Sequence, residues 1–590
     1  MRFFVLSAVF LLSSGISFAG LSDAPHPRLL WQKGGEAVVR ERVASDPLAG
    51  RLSGACLARA REILDERTCR YEIPDGKRLL GESRRALDHV VHCAWAWRMT
   101  GEERFRERTV RELDAACALK DWNPKHFLDV AEMSLAVAVG YDWLFDSLTP
   151  EQRARYEEAI VAKALKPALK VYESHGWWSK PGNNWSQVCG SGIAMAAAAV
   201  AERDPKLCGD LFGRGKKLID DCTRFYEPDG VYPEGPAYWG YGTNYHVILL
   251  AACPALGLEA PAPEALRKSG DFMMQVVGPF RLPFNFADAG AGRAAPTPAQ
   301  SWIASHFHDS GQASYVRSRL AGALDGKGKS RWRGGRFAPL HLLWLPDAPP
   351  AGTPDAPLVA SFRGKQSLAF FRTSWRPGAA YLAIKGGTPS GSHGHMDVGA
   401  FVYDAAGVRW FHDLGSDDYN MPGYFGGKRW SYFRLNNRSH NTLVIGGQLQ
   451  KVRASPAKLV ERPSVKSPAV AIDLTPAYEG QSKKVLRRAE FDIRTGAVVI
   501  DDRIDHPAGD VRWAVVTRAK VSIAGRRAVL EQAGKSLVVT RLDDAGGDWD
   551  VRDATPPTAR EKQNKGCRML SFTAPVAESL RLRVRWEPKE

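Results

Sequence analysis

The segment GTPSGSHGHMDVGAF places two imidazoles and a carboxylate, His393, His395 and Asp397, almost side by side. Residues two apart share a face of a strand, so His393 and His395 can point into one site or stand together at a strand's entrance. Asp413 closes Phe411-His412-Asp413, and His440 follows Ser439 at the head of His440-Asn441-Thr442. His395, Asp413 and His440 are separated by 18 and 27 residues, a spacing that suits three adjacent strands. Two imidazoles and one carboxylate suit a divalent metal, Zn²⁺ or Mn²⁺. Three unrelated polar residues capping strand ends would show the same spacing, and Asp397 and His412 are near enough to be alternative ligands or their hydrogen-bond partners.

Two further segments carry side chains of chemical use. In PGNNWSQ, Asn183 and Asn184 are neutral donors suited to a carboxylate, with Trp185 and Gln187 beside them; turn formation and N-capping are the ordinary uses of such a loop. In DGVYPEGPAYWGYG, Tyr232, Tyr238, Trp239 and Tyr241 lie among glycines, which reads as a loop rather than a helix core. Aromatic faces there can stack on sugar rings, and a phenol can exchange protons. Local packing of the aromatics is the plainer alternative.

The elements that must position these residues change character along the chain. From about residue 34 to 330 the apolar period is helical. A helix over 86–99, broken at Thr100-Gly101 and resumed over 105–119, is a helical hairpin. Thr149-Pro150-Glu151-Gln152 reads as an N-cap with a capping box, opening a helix towards Val171. GSGIAMAAAAVA, residues 190–201, suits a helix packed closely on all sides. After the proline-rich stretch around 342–357 the period becomes two, with short runs at 367–375, 381–385, 400–403, 408–412, 442–445 and 498–500, and a hairpin loop at Asp404-Ala405-Ala406-Gly407. This pattern predicts helix pairs in a barrel or toroid followed by an antiparallel β-sandwich, with a ligand cleft between them.

The chain has 590 residues, a net charge of +16 and average proportions of charged and hydrophobic residues, which exclude a disordered, collagenous or polytopic membrane protein. The positive balance leaves nucleic acid, anionic membranes and acidic substrates open. Residues 1–19, with Arg2, an apolar run and Ser17-Phe18-Ala19 before Gly20, read as a cleaved secretory signal too short to span a bilayer. A periplasmic or secreted location follows, with no integral membrane segment after cleavage, no nucleic acid as partner, and an extracellular polyanion in its place. The nine cysteines lie beyond that site without zinc-finger spacing and read as small buried apolar residues, with room for one or two disulfides.

Together HPRLL at 26–30, FLDVAEMSLAVAVGYDWL at 127–144, GNNW at 182–185, DGVYPEGPAYWGYG at 229–242, SHGHMD at 392–397, FHDLG at 411–415 and RSHNT at 438–442 resemble the heparinase II/III-like polysaccharide lyases, over nearly the whole chain. The resemblance implies an N-terminal (α/α) toroid of helix hairpins over 20–345, a linker over 346–357 and a C-terminal antiparallel β-sandwich over 358–590. It implies an acidic polysaccharide substrate cleaved by β-elimination, a glycosaminoglycan such as heparan sulfate, chondroitin sulfate or hyaluronan first and alginate second. Asn184 matches the amide that binds the substrate carboxylate, Tyr238 the tyrosine acid/base and His393 the catalytic histidine. His395, Asp413 and His440 match metal ligands, with the metal in a structural role. Asn183, Trp185, Gln187, Trp239, Tyr241 and Arg438 are the accompanying candidates for substrate binding. Trp185 stands where many members carry a histidine, which makes Tyr238 the stronger candidate base.

The chemistry asked of such a site is removal of the C5 proton of a uronide, with the C6 carboxylate taking up charge and the C4–O4 bond breaking. Asn184, aided by His393 or Asn183, would neutralise the carboxylate. A Tyr238 phenol with its pKa lowered by nearby positive charge would take the proton and return one to O4, with His393 as base for the opposite face. A glycoside hydrolase would need two flanking carboxylates, for which Asp229 and Glu234 are the candidates. A non-catalytic carbohydrate-binding protein would need only the aromatics and the charge.

Overall fold

The computed structural model describes residues 19–326, 332, 334–350 and 356–589; residues 1–18 of the expected signal segment lie outside the described residues. Helices fill the chain up to Trp344 and strands begin at Val359. The hairpin appears as Leu80–Thr100 and Glu103–Ala118, turned at Gly101 in the left-handed conformation (φ 70°) that favours glycine. Thr149 caps Pro150–Ile160 with the full capping box to Gln152. That helix continues through a π-turn over Val161–Leu165 into Lys166–Glu173, where Pro167 has no N–H to give to the regular ladder.

Seven helices close a ring. Leu80–Thr100 packs on Leu128–Leu144, then in turn come Asn184–Ala199, Pro236–Ala252, Pro298–His306, Leu340–Trp344 and Pro47–Leu64, which returns to Leu80–Thr100. Glu103–Ala118 and Pro205–Cys222 cover the ring from outside. Leu128–Leu144 is buried along its whole length, as a helix apolar all round must be. It meets Asn184–Ala199 so closely that a Cβ on Gly192 would lie 2.6 Å from the Ala131 carbonyl oxygen.

The C-terminal half is antiparallel throughout. Strands β1 (Val359–Phe362), β2 (Leu368–Arg372), β3 (Tyr381–Lys385), β4 (Phe401–Ala405) and β5 (Val408–Phe411) form a meander. An eight-stranded sheet runs β12 (Lys520–Ala524), β13 (Arg527–Gln532), β14 (Lys535–Arg541), β17 (Ser579–Pro588), β10 (Val498–Asp505), β9 (Lys484–Phe491), β8 (Ala469–Asp473) and β7 (Lys458–Glu461). A four-stranded sheet runs β15 (Asp550–Asp553), β16 (Arg568–Ala574), β11 (Val511–Thr517) and β6 (Leu443–Ile445). The predicted hairpin loop is present, with Ala405 opposite Val408 and positive φ at Ala406 and Gly407.

The meander is buried on both faces, which is why its strands read as continuous apolar runs. Alternate residues divide between two cores. Leu368, Phe370, Tyr381, Ala383 and Val402 join the core of the helical ring, while Ala369, Phe371, Leu382, Ile384, Phe401 and Tyr403 join the core of the sandwich. Buried polar bonds fix this junction: Arg372 donates to the carbonyls of Gln275 and Val277 at 2.8 and 2.7 Å, and Arg409 to that of Pro283 at 2.6 Å. All nine cysteines are buried as free thiols, so the spacing that left room for disulfides carries none.

Two buried histidines of the ring make the fold acid-sensitive. Burial holds the imidazoles of His246 and His341 down at about 3, against an ordinary value of 6.5. Below pH 6.5 the unfolded chain takes up protons that the folded one refuses, so their contribution is complete above pH 6.5 and is lost as pH falls towards 3. Urea unfolding should lose several kcal/mol across that window, on the basis of about 1.4 kcal/mol per pKa unit, and His246→Gln should flatten the slope.

Candidate active site

Gly235-Pro236 starts a helix, Pro236–Ala252, and does not continue a loop as the aromatic, glycine-rich composition suggests. Proline at the first helical position costs no hydrogen bond, and a Cβ on Gly235, at φ 84°, would meet the Phe286 carbonyl oxygen at 2.7 Å. Helical spacing then sorts the aromatics. Tyr238 and Tyr241 share the face that lines the cleft, whereas Trp239 turns into the core and is fully buried.

Asn184 is the first residue of its helix, whose N-cap Asn183 accepts a hydrogen bond from the Trp185 amide at 3.0 Å. Buried Glu234 holds Asn184 from behind, accepting from its backbone N–H at 2.7 Å and from Nδ2 at 3.2 Å, while Oδ1 has no partner. His393 faces this pair from the sandwich side, with Nε2 4.0 Å from Glu234 Oε1. Its ring stacks on that of Tyr238 at 3.7 Å between centroids, and the Tyr238 hydroxyl is hydrogen-bonded to that of Tyr419. His393 is held at φ 62°, a left-handed conformation that costs a histidine on the order of 1–3 kcal/mol.

Asp288 holds it there. Its Oδ2 accepts from His393 Nδ1 at 2.8 Å; its Oδ1 accepts from His395 Nε2 at 2.9 Å, from Arg429 at 2.9 Å and from the Tyr424 hydroxyl at 2.8 Å. Although burial opposes ionisation, His393, His395 and Arg429 hold the carboxyl well below its ordinary range. A carboxylate on Nδ1 keeps the proton there and leaves the lone pair on Nε2 of His393. Burial pushes the Tyr238 phenol up, and the charges of Asp288 and Glu234 push it the same way; this replaces the lowering expected from a basic cleft.

These groups open on a cavity of about 630 Å³ between ring and sandwich. Asn183, Asn184, Trp185, Tyr238, Tyr241 and His393 line it, as their sequence context suggests. Three candidates for substrate binding do not reach it. Gln187 is buried, donating to the Tyr226 hydroxyl at 2.8 Å and accepting from that of Tyr232 at 2.6 Å. Trp239 belongs to the core, and Arg438 is exposed elsewhere, its guanidinium on the Gly447 carbonyl at 3.0 Å. Asp229 is paired with Arg363 at 2.9 Å away from the cleft. No Asp or Glu is among the described residues that line the cavity.

Other lining residues went unnoticed in the sequence. His126 sits edge-on to Trp185 at 4.8 Å, with Nδ1 on Asp129 Oδ1 at 2.7 Å, so an imidazole from another segment stands beside the tryptophan. Tyr419, Phe425 and Arg429 come from DYNMPGYFGGKRW, as aromatic and glycine-rich as the segment around Tyr238 and detectable by the same criterion. Asp288 lies in FNFADAG, which carries no comparable signal.

His395, Asp413 and His440 do converge, with one ligand atom from each within 4.8 Å of the others. They come from loops beside β4, β5 and β6, and β6 lies in a different sheet from the other two, so three adjacent strands are not the frame. Asp397 is bound to Lys385 at 2.6 Å instead, and His412 has no place among the three. The donor set fits a divalent cation. His395 Nδ1 and His440 Nε2 are buried without partners, and the opposite nitrogens rest on carboxylates: His395 Nε2 on Asp288 at 2.9 Å and His440 Nδ1 on Asp413 at 3.1 Å. Removing such a cation should lower the melting temperature, and His440→Ala should abolish that sensitivity to chelator; calorimetry with and without chelator, with metal analysis, checks both.

The molecule is thus a helical toroid joined to an antiparallel β-sandwich, with a cleft at the junction. Residues 367–581, most of the sandwich, match the family model described as heparinase II/III-like, C-terminal. Among solved structures, a heparan sulfate lyase (HepC) mutant from Pedobacter heparinus is 15% identical, with a TM-score of 0.61 over 97% of this chain and 93% of that one. A heparinase III is 14% identical, with a TM-score of 0.62 over 88% and 79%. A Paenibacillus xanthan lyase is 13% identical, with a TM-score of 0.51 over 92% and 57%. At such identities the likeness is one of fold. No curated protein matches the chain.

Proposed function

We propose that the protein is a polysaccharide lyase that cleaves uronic-acid-containing chains by β-elimination, and that it acts outside the cytoplasm. The observation that carries this reading is a cleft where Asn184, Tyr238 and His393 converge and which neither Asp229 nor Glu234 lines, Asp229 being paired with Arg363 and Glu234 bonded behind Asn184. A hydrolase needs two such carboxylates. A lectin has no use for a strained histidine fixed by a buried aspartate. Among the described residues no helix is long and apolar enough to cross a membrane.

The amide of Asn184 binds the C6 carboxylate of the substrate and stabilises charge as it develops there; one preorganised donor of this kind contributes about 3–4 kcal/mol. His393 Nε2 accepts the C5 proton. Asp288 on Nδ1 and Glu234 4.0 Å from Nε2 stabilise the imidazolium that forms. The C5 electron pair becomes the C4–C5 double bond and the C4–O4 bond breaks. Tyr238, whose raised pKa keeps it protonated, donates to the departing O4, and the hydrogen-bonded Tyr419 hydroxyl can replace that proton. A divalent metal, Zn²⁺ or Mn²⁺, held by His395, Asp413 and His440, would supply structural charge that fixes the loops beneath His393. The test is incubation with uronate polymers while following ultraviolet absorbance of the unsaturated uronide. New reducing ends without absorbance would instead establish hydrolysis.

A further inference from the structure

We infer that the cleft takes uronate chains whose only anionic groups are their carboxylates, and that sulfate esters weaken binding. This rests on the reading of the cleft as a uronide site and names its substrate class.

The first ground is electrostatic. Each arginine at the cleft is already bonded to a protein carboxylate: Arg78 to Asp75 at 2.7 Å, Arg84 to Glu132 at 2.8 Å, and Arg429 to Asp288 at 2.9 Å. Glu132 lies fully buried behind the wall and also takes Arg336 at 2.8 Å. Glu234 adds a carboxylate whose nearest partner is the neutral amide of Asn184. The guanidinium groups of Arg78, Arg84, Arg336 and Arg429 are therefore matched in number by the carboxylates of Asp75, Glu132, Asp288 and Glu234, and together they offer a sulfated chain no net positive charge. Recruiting Arg429 would take a guanidinium from the buried carboxylate of Asp288, a cost that a new ion pair does not readily recover. One cation stands outside this balance, the exposed ammonium of Lys365 near Gly391 at the rim, which can pair with a carboxylate or a sulfate alike.

The second ground is the chemistry of the walls. Trp177 on the ring side and Phe425 on the sandwich side are 57% and 59% exposed, both at the cleft, and the Trp177 ring packs on that of Trp185 at 4.1 Å between centroids, tilted by 51°. Such surfaces take the C–H face of a pyranose. A sulfate against either ring face would shed its hydration with no hydrogen bond in return. The basic surplus of the chain lies partly elsewhere: on the outer face of the eight-stranded sheet Arg503, Arg581 and Arg583 surround the single carboxylate of Asp501.

The test uses matched pairs: unsulfated heparosan against heparan sulfate, unsulfated chondroitin against chondroitin sulfate, with alginate and hyaluronan as naturally unsulfated chains. Turnover by the full-length enzyme is followed by absorbance, and binding to the Tyr238→Phe protein by titration calorimetry. The expected result is at least about a tenfold advantage in kcat/KM and in Kd for the unsulfated member of each pair, equivalent to about 1.4 kcal/mol, with weak dependence on salt. Equal or better binding and turnover of the sulfated members overturns the inference while leaving the lyase reading intact. Preferential binding of unsulfated chains by the variant, with no unsaturated product from the wild type, supports the inference and overturns the lyase reading. Failure to bind any of these chains overturns both.

Discussion

Tyr238→Phe is expected to lower kcat by about 10²–10⁴-fold, the usual contribution of a positioned proton donor, with little change in substrate affinity. The phenol is held protonated by burial and by the nearby charges of Asp288 and Glu234, so its loss removes the proton delivered to O4 and not the base at C5. The variant should therefore still exchange the C5 proton of a bound uronide with deuterated solvent while failing to eliminate. His393→Ala should lose elimination and exchange together. Mass spectrometry of recovered substrate separates the two: loss of exchange in Tyr238→Phe with exchange retained in His393→Ala would reverse the roles given to the two rings. The stacking of His393 on Tyr238 at 3.7 Å makes the comparison demanding, because His393→Ala also removes the surface on which the phenol rests. His393→Gln, which keeps more of that surface, is the appropriate second variant.

The change of period near residue 350 made the order of helices and sheets legible, because a ring of helix pairs and a stack of sheets bury apolar residues at different intervals. The meander was legible for a second reason: strands covered on both faces read as unbroken apolar runs, as in Leu368–Arg372. The site was legible only where its residues cluster in sequence. Asn184, Tyr238 and His393 stood in unusual local compositions, and the cleft gathers them. Gln187 and Trp239 show the limit of that reasoning. They neighbour working residues in sequence, but Gln187 lies a helical turn further in than Asn184, the first residue of that helix, and one position from Tyr238 turns Trp239 to a different face; both side chains are buried and serve the packing of the ring. His126 and Asp288 were invisible for the opposite reason: their partners are assembled by tertiary structure from segments with ordinary composition. The lowering of the tyrosine pKa expected from nearby positive charge failed because the phenol responds first to its own burial and also to the two nearby carboxylates of Asp288 and Glu234.

Asp288 carries the second large effect. It accepts from His393, His395, Tyr424 and Arg429, and so joins the working histidine, the candidate metal triad and a buried guanidinium through one carboxylate. Asp288→Asn removes the charge and places an amide donor against groups that are themselves donors. Arg429 is then left buried without its counter-ion, and breaking a buried pair from one side costs about 3–5 kcal/mol. The substitution also removes the acceptor that keeps the Nδ1 proton of His393 in place, so Nε2 no longer presents a lone pair to C5. We expect Asp288→Asn to lower the unfolding free energy by about that amount and kcat by about 10²–10⁴-fold, with KM nearly unchanged because Asn184 and the aromatic walls are untouched. The two losses are separable. Arg429→Met in the Asp288→Asn background removes the stranded charge and should recover much of the stability in a chemical unfolding curve, yet it restores no acceptor to His393 and should leave kcat low. Recovery of turnover together with stability would show that Asp288 acts only by holding the fold.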